Sequence, residues 1–248
     1  MNNTMKTGAL CLAGILALSA CSSGESASSA SPASQASSAS APASSAPSFT
    51  PAPAAGREQY TADELEAALT AVKAGQGLNG EVRNDAAVRP LLAENPFTGV
   101  TIAPEQCRSL MSSFLDEKIS AGNLAAVGLE GSDMLMLISY DNASAPNQQT
   151  EGSRQLIKDC GNFTAELGGT AIDGSVETID ASTQAPSTQA FRTELSRDGK
   201  PLGTVIQVSA VSGTVNAGVT LFDPEDEDAA VAAAETTINA ALAELEKN

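Results

Sequence analysis

Between Asn162 and Phe222 the chain is written almost entirely in period two. Phe163, Ala165 and Leu167 alternate with Asn162, Thr164 and Glu166, and Phe191, Thr193 and Leu195 alternate with Arg192, Glu194 and Ser196. Further along, Ile206, Val208 and Ala210 and then Val215, Ala217, Val219 and Leu221 repeat the pattern. A spacing of two puts all apolar side chains on one face only if the backbone is extended, so these segments are read as strands. Gly168-Gly169, Asp198-Gly199 and Ser212-Gly213 interrupt the pattern with residues that accept the positive φ of tight hairpins, which makes neighbouring strands antiparallel. Predicted strands are the one starting near Phe163, then Ser175 to Ala181, the one around Phe191 to Leu195, Leu202 to Val211, and Thr214 to Phe222. One face of such a sheet must be covered, and the other can stay polar.

The cover comes from helices. Thr61 and Glu64 have the spacing of a capping box, Leu65, Leu69 and Val72 share a face behind it, and Gly75 is read as the stop. A shorter helical piece spans about Asp85 to Glu94, interrupted by Pro90. A third helix opens after Pro104, with Cys107, Leu110, Met111, Phe114, Leu115 and Ile119 three and four apart on one stripe. Leu124 to Glu130 and Met134 to Tyr140 read as strands joined at Gly131-Ser132-Asp133. The second is apolar on both faces, which places it inside the sheet. A fourth helix runs from about Pro146 to Cys160. The last runs from Pro224 to Leu245 and buries Val231, Ala234, Ile238, Leu242 and Leu245. The expected class is α+β, an antiparallel sheet with helices packed on one face.

The chain before this region cannot join the fold. Residues 22 to 56 are nearly all Ser, Ala and Pro with one acid, Glu25, a composition too poor in apolar surface to offset chain entropy. As a coil this segment spans roughly 30 Å, and about 110 Å if drawn out, so it reads as a tether. Ahead of it, Lys6 precedes an apolar run from Ala9 to Leu18, the size of a secretory signal core and too short to cross a bilayer. The run closes on Leu18-Ser19-Ala20-Cys21, which resembles the lipobox of bacterial lipoproteins. That resemblance implies cleavage before Cys21, a lipid on its sulfur, and a protein held at the extracytoplasmic face of the cell membrane. The expected organisation is a signal peptide over 1–20, a lipidated cysteine and tether over 21–56, and a domain over 57–248.

Charge and cysteines narrow the partners. Residues 1–20 carry one lysine and no acid, so their removal takes the formal net charge from −17 to −18. Such a chain repels polyanions, which excludes nucleic acid as a partner and discourages docking on anionic lipid heads. Tryptophan is absent and only 6 Phe and 2 Tyr are present, so the core must be aliphatic. Of 4 cysteines, Cys11 leaves with the signal and Cys21 takes the lipid. Cys107 and Cys160 remain, and outside the cytoplasm such a pair most simply forms a disulfide between the start of one helix and the end of another.

The order of these signals resembles a known family. Lipobox, tether, a helix after Pro104-Glu105-Gln106-Cys107, paired strands, Leu156-Ile157-Lys158-Asp159-Cys160 leading into the strand at Phe163, a β-meander and a closing helix are together similar to the PknH-like extracellular sensor domain of actinobacteria. Members of that family usually carry two disulfides and often a tryptophan before the second cysteine. This chain has one pair, with Ile157 nearby. The resemblance covers roughly Tyr60 to Leu245 and implies a cleft-bearing domain that senses a ligand, with no catalytic residues to carry over.

Little in the sequence offers chemistry. Without histidine there is no Ser-His or Cys-His nucleophile and no histidine metal site. Gly-x-Ser-x-Gly, Ser-x-x-Lys, phosphate-loop and dinucleotide patterns are all missing. The run Asp223-Pro224-Glu225-Asp226-Glu227-Asp228 lacks the ligand alternation of a calcium loop and suits a helix start, with Asp223 as cap and Pro224 at the first position. Asn142-Ala143-Ser144 and Asn162-Phe163-Thr164 match the glycosylation triplet, a pattern common by chance. Met134 and Met136 are read as packed strand residues. The expected function is a non-catalytic ligand-binding or sensor-like domain without metal or cofactor, partnered by a ligand or an envelope protein. The alternatives are a carrier of a lipid or other apolar molecule, or a structural and adhesive envelope protein.

Overall fold

The computed structural model describes residues 55–93, 100–109 and 121–247. Cys21, the tether and the Leu110 to Ile119 part of the third helical stripe lie outside the described residues. The start of that stripe is a 3-10 turn at Glu105–Cys107.

In chain order the elements are α1 (Ala62–Gln76), β1 (Val82–Asn84), α2 (Asp85–Ala93), β2 (Val100–Ala103), the 3-10 turn, β3 (Asn123–Gly128), β4 (Met134–Ser139), α3 (Ser144–Asp159), β5 (Asn162–Leu167), β6 (Thr170–Ile179), β7 (Ser187–Arg197), β8 (Lys200–Ser212), β9 (Val215–Phe222) and α4 (Glu227–Leu245). The strands make one 9-stranded sheet in the order β1-β3-β4-β9-β8-β7-β6-β5-β2. Every neighbouring pair is antiparallel. The class is therefore α+β, as the alternation predicts. Three hairpins sit where the sequence puts them: Gly168 and Gly169, Asp198 and Gly199, and Gly213 all have positive φ. The strand expected from Ser175 begins earlier, at Thr170, because the glycine turn lets pairing with β5 start at once.

One face of the sheet carries the main core. Leu135, Leu137, Ile206, Val208, Ala210, Val215, Ala217 and Val219 are buried against Leu65, Leu69 and Val72 of α1 and Ile238, Ala241, Leu242 and Leu245 of α4. Thr61 caps α1 with both arms of the capping box, its hydroxyl accepting from Glu64 N–H at 3.3 Å and its N–H donating to Glu64 Oε2 at 2.7 Å. The helix runs past Gly75 and stops at Gly77, whose φ of 68° is the left-handed cap that Gly75 was expected to supply. α4 starts later than expected. Asp226 caps it by accepting from Ala229 N–H at 3.0 Å, while Asp223 accepts from Thr204 N–H at 2.6 Å and so closes the strands.

The second face departs from the expectation of a sheet with helices on one face only. Leu124, Ala126, Met136 and Ile138 pack there under Val88 and Leu92 of α2. At the other end, Phe163, Ala165 and Val176 pack with Ile157 of α3, Ile102 of β2, Cys107 and Cys160. β3 and β4 are apolar in both phases, and on β5 the apolar phase, Phe163 and Ala165, points to this second face rather than to the main core, so each end needs cover of its own. The expected Cys107–Cys160 pair is bonded, with Cα atoms 5.5 Å apart. It ties the 3-10 turn to the end of α3.

Candidate functional site

Between these two apolar clusters the second face is polar. The ladder sets its side chains in rows across four strands. Phe191 of β7 stands opposite Gln207 of β8, which stands opposite Thr220 of β9. In the next row Gln189 faces Ser209, Ser209 faces Gly218, and Gly218 faces Met136 of β4. Beyond it Asn216 pairs with Ile138. Gln149 and Ser153 on α3 form a wall above these rows, and together the residues line a cleft of about 70 Å³.

Gly218 makes the floor. A Cβ placed there would meet only the Val208 carbonyl oxygen, at 3.9 Å, so the space in the cleft is the room its missing side chain leaves. Local hydrogen bonds orient the polar lining. Tyr140, at the end of β4, donates its hydroxyl to Gln149 Oε1 at 2.8 Å, and Ser209 Oγ donates to Asn216 Oδ1 at 3.1 Å. Gln189 Oε1 is withdrawn from solvent and has no hydrogen-bond partner among the described residues. A buried acceptor left unpaired costs about 1–3 kcal/mol, which marks it as a point where a donor is wanted.

Among the described residues, none that lines the cleft is ionisable. In a chain of net charge −17 that is a local exception. The cleft's amides and hydroxyls are groups that both donate and accept hydrogen bonds. A wider groove of about 460 Å³ runs between α4 and the end of β6, beside Asp180, Glu227, Asp228 and Glu235. Its carboxylates are partly engaged, Glu235 by Ser182 N–H at 2.6 Å and Glu227 by Arg192 at 3.1 Å.

Of the residues singled out from the sequence, Met136 reaches the cleft, while the cysteines and Asn142 lie elsewhere. Cys107 and Cys160 sit in the cluster at the β2 and β5 end. Met136 is 4% exposed and lines the cleft as a packed strand residue. Asn142 accepts from Ser144 and Ala145 N–H at 3.0 and 3.3 Å, so its side chain begins α3. The polar cleft residues themselves were not singled out. Their signal was the polar half of the β8 and β9 alternation, Gln207 and Ser209 against Asn216, Gly218 and Thr220, with a glycine at its centre.

The chain shares its fold with the extracellular domain of PknH from Mycobacterium tuberculosis. The alignment covers 78% of this chain and 100% of that one, with a TM-score of 0.51 and 12% identity. A second solved structure, an uncharacterised protein of Mycobacterium smegmatis, aligns over 59% of this chain and 76% of its own at a TM-score of 0.33 and 18% identity. No family model and no curated protein sequence matches the chain. The PknH fold is the one the signals around Cys107 and Cys160 suggested. Among the described residues no helix is long and apolar enough to cross a membrane.

Proposed function

We propose that the chain is a non-catalytic, sensor-like domain held at the extracytoplasmic face of the membrane by a lipid on Cys21, and that it binds its ligand in the cleft over Gly218. The cleft carries the proposal: it concentrates neutral amides and hydroxyls on a fold shared with the extracellular domain of a kinase, and one buried acceptor there is unpaired among the described residues. In this reading a partner protein carries the signal onward. The carrier reading gains nothing from this face, since a cleft of about 70 Å³ rimmed by amides suits no apolar cargo.

The test has two parts. A Cys21→Ser change should release the protein from the membrane fraction and abolish metabolic labelling with palmitate. Native mass spectrometry of the protein taken from its host's envelope should show a bound species of defined mass that is absent in Gly218→Val. Retention of that species by Gly218→Val would move binding away from the cleft. Turnover of a substrate that a single carboxylate change abolishes would end the non-catalytic reading.

A further inference from the structure

We infer that the cleft takes an uncharged, polyhydroxylated ligand, a neutral saccharide or the end of one. The inference rests on the proposal that this cleft is the ligand site, and it names the chemistry.

Charge comes first. Among the described residues the lining holds no acid and no base, so a charged group brought against them would lose water and gain no counter-ion. The ligand part that enters is therefore neutral. Hydrogen-bonding capacity comes next. Gln189, Gln207, Gln149 and Asn216 each carry both donors and acceptors, and sugar hydroxyls also act as both. An apolar ligand would strand these groups unpaired, a penalty large enough to reject it. Phe191 supplies an apolar ring at the edge, suited to the C–H face of a sugar.

A neutral peptide could satisfy amides as well. It would bind best along an exposed strand edge with pockets for alternate side chains, whereas this site lies on a sheet face bounded by paired strands. The volume, about 70 Å³, lies well below the roughly 300–1,000 Å³ of pockets that enclose drug-sized ligands. The site would thus hold one ring or chain end of a longer molecule and leave the rest outside.

Saturation-transfer NMR on the full chain in detergent tests this. The probes are chitotriose, cellotriose and maltotriose at millimolar concentration, with an acetylated and amidated trialanine and dansyl-undecanoate for the competing classes. The expected result is transfer to at least one saccharide, lost in Gly218→Val and weakened about tenfold in Gln189→Leu, the loss of roughly one hydrogen bond. A Cβ at 218 meets nothing nearer than the Val208 carbonyl oxygen at 3.9 Å, and valine suits a strand better than glycine, so circular dichroism and the urea midpoint should show Gly218→Val folded. Transfer to the peptide or the dansyl lipid that Gly218→Val abolishes, with none to any saccharide, would overturn the saccharide assignment and leave the cleft as the binding site. Saccharide transfer that persists unchanged in Gly218→Val, or no transfer to any probe, would overturn the inference. The envelope-derived species followed by mass spectrometry then decides separately whether the cleft binds anything.

Discussion

Ser212, at the tip of the β8–β9 hairpin, donates its hydroxyl to the Ala55 carbonyl at 2.6 Å, joining residues 157 apart in sequence. Around this bond the first described residues are clamped to the sheet. Thr214 N–H donates to Gly56 O at 2.8 Å, Thr214 Oγ1 to Glu58 O at 2.7 Å, and Tyr60 N–H to Ser139 Oγ at 2.8 Å. Tyr60 then reaches the far end of α4, donating its hydroxyl to Leu245 O at 3.0 Å. Hydrogen bonds therefore hold Ala55 to Tyr60 on the sheet, and a load applied at Ala55 would reach the β8–β9 hairpin directly.

The clamp tolerates no side chain at its closest point. A Cβ on Gly56 would lie 2.1 Å from the Ser212 carbonyl oxygen, and Gly56 has a φ of 88°. Gly56→Ala should therefore cost about 2 kcal/mol or more, from the clash and the positive φ together, read as a lower urea midpoint. Ser212→Ala should cost about 1–3 kcal/mol, because it leaves the Ala55 carbonyl buried without its donor. Midpoints equal to wild type in both variants would show that the clamp is not part of the cooperative unit.

The capping box of α1 predicts a pH dependence. The Thr61 N–H first, and its hydroxyl second, hold the Glu64 carboxyl below the usual carboxylate range. A lowered folded pKa stabilises the protein above the unfolded value of about 4.3 and is lost as pH falls through the folded pKa. Wild type should therefore exceed Glu64→Gln in stability at pH 7, and the gap should close between about pH 5 and pH 3. Thr61→Ala should cost about 1 kcal/mol at neutral pH. Urea titrations across that range check both, and a gap that widens toward low pH would contradict the sign.

Arg192 is held among three carboxylates. Its guanidinium meets Glu177 at 2.6 Å, Glu194 at 3.3 Å and Glu227 of α4 at 3.1 Å. The hydrogen bond to Glu227 is the largest cause of its raised pKa, with the charges of Glu194, Glu227 and Glu177 adding to it. With the guanidinium gone, the acids would face one another across the β6–β7 ladder and the start of α4. Arg192→Met should destabilise the protein by about 1–2 kcal/mol in dilute buffer, and the loss should shrink markedly in 0.5 M salt as the repulsion is screened. A loss independent of salt would assign the residue's role to packing.

Most of the fold was legible because one rule generates most of it. The period-two runs and the Gly168-Gly169, Asp198-Gly199 and Ser212-Gly213 turns fix β5 through β9, and the stripe Val231, Ala234, Ile238, Leu242, Leu245 fixes the buried face of α4. What failed to show was anything decided by tertiary contact. Asp223 and Asp226 are equally good helix caps in sequence, and only the nearby Thr204 N–H draws the first to the strands. β1 and β2, with 3 and 4 residues, are too short to carry a period, and they form by completing the two edges of the sheet. The cleft hid for a related reason. Gln189, Ser209 and Gly218 belong to three strands, and only the register of the ladder sets them in one row.

The disulfide should protect one end of the molecule rather than the whole of it. Cys107 and Cys160 are separated by 53 residues, for which the chain-entropy model gives about 4 kcal/mol of stabilisation. Their surroundings form a cluster of their own, built from β2, α3, β5 and β6 with Ile102, Ile157, Phe163 and Val176. The main core across β4, β8, β9, α1 and α4 contains none of these residues. Loss of the bond should first open the edge where β2 pairs with β5, since among the described residues it is the covalent tie between the 3-10 turn and the end of α3. Hydrogen exchange on the Cys107→Ser, Cys160→Ser double variant should therefore speed in β2 and β5 well before β8 and β9. The urea midpoint should fall as well. Uniform acceleration across all strands would mean that the bridge instead stabilises a single cooperative unit through its unfolded state.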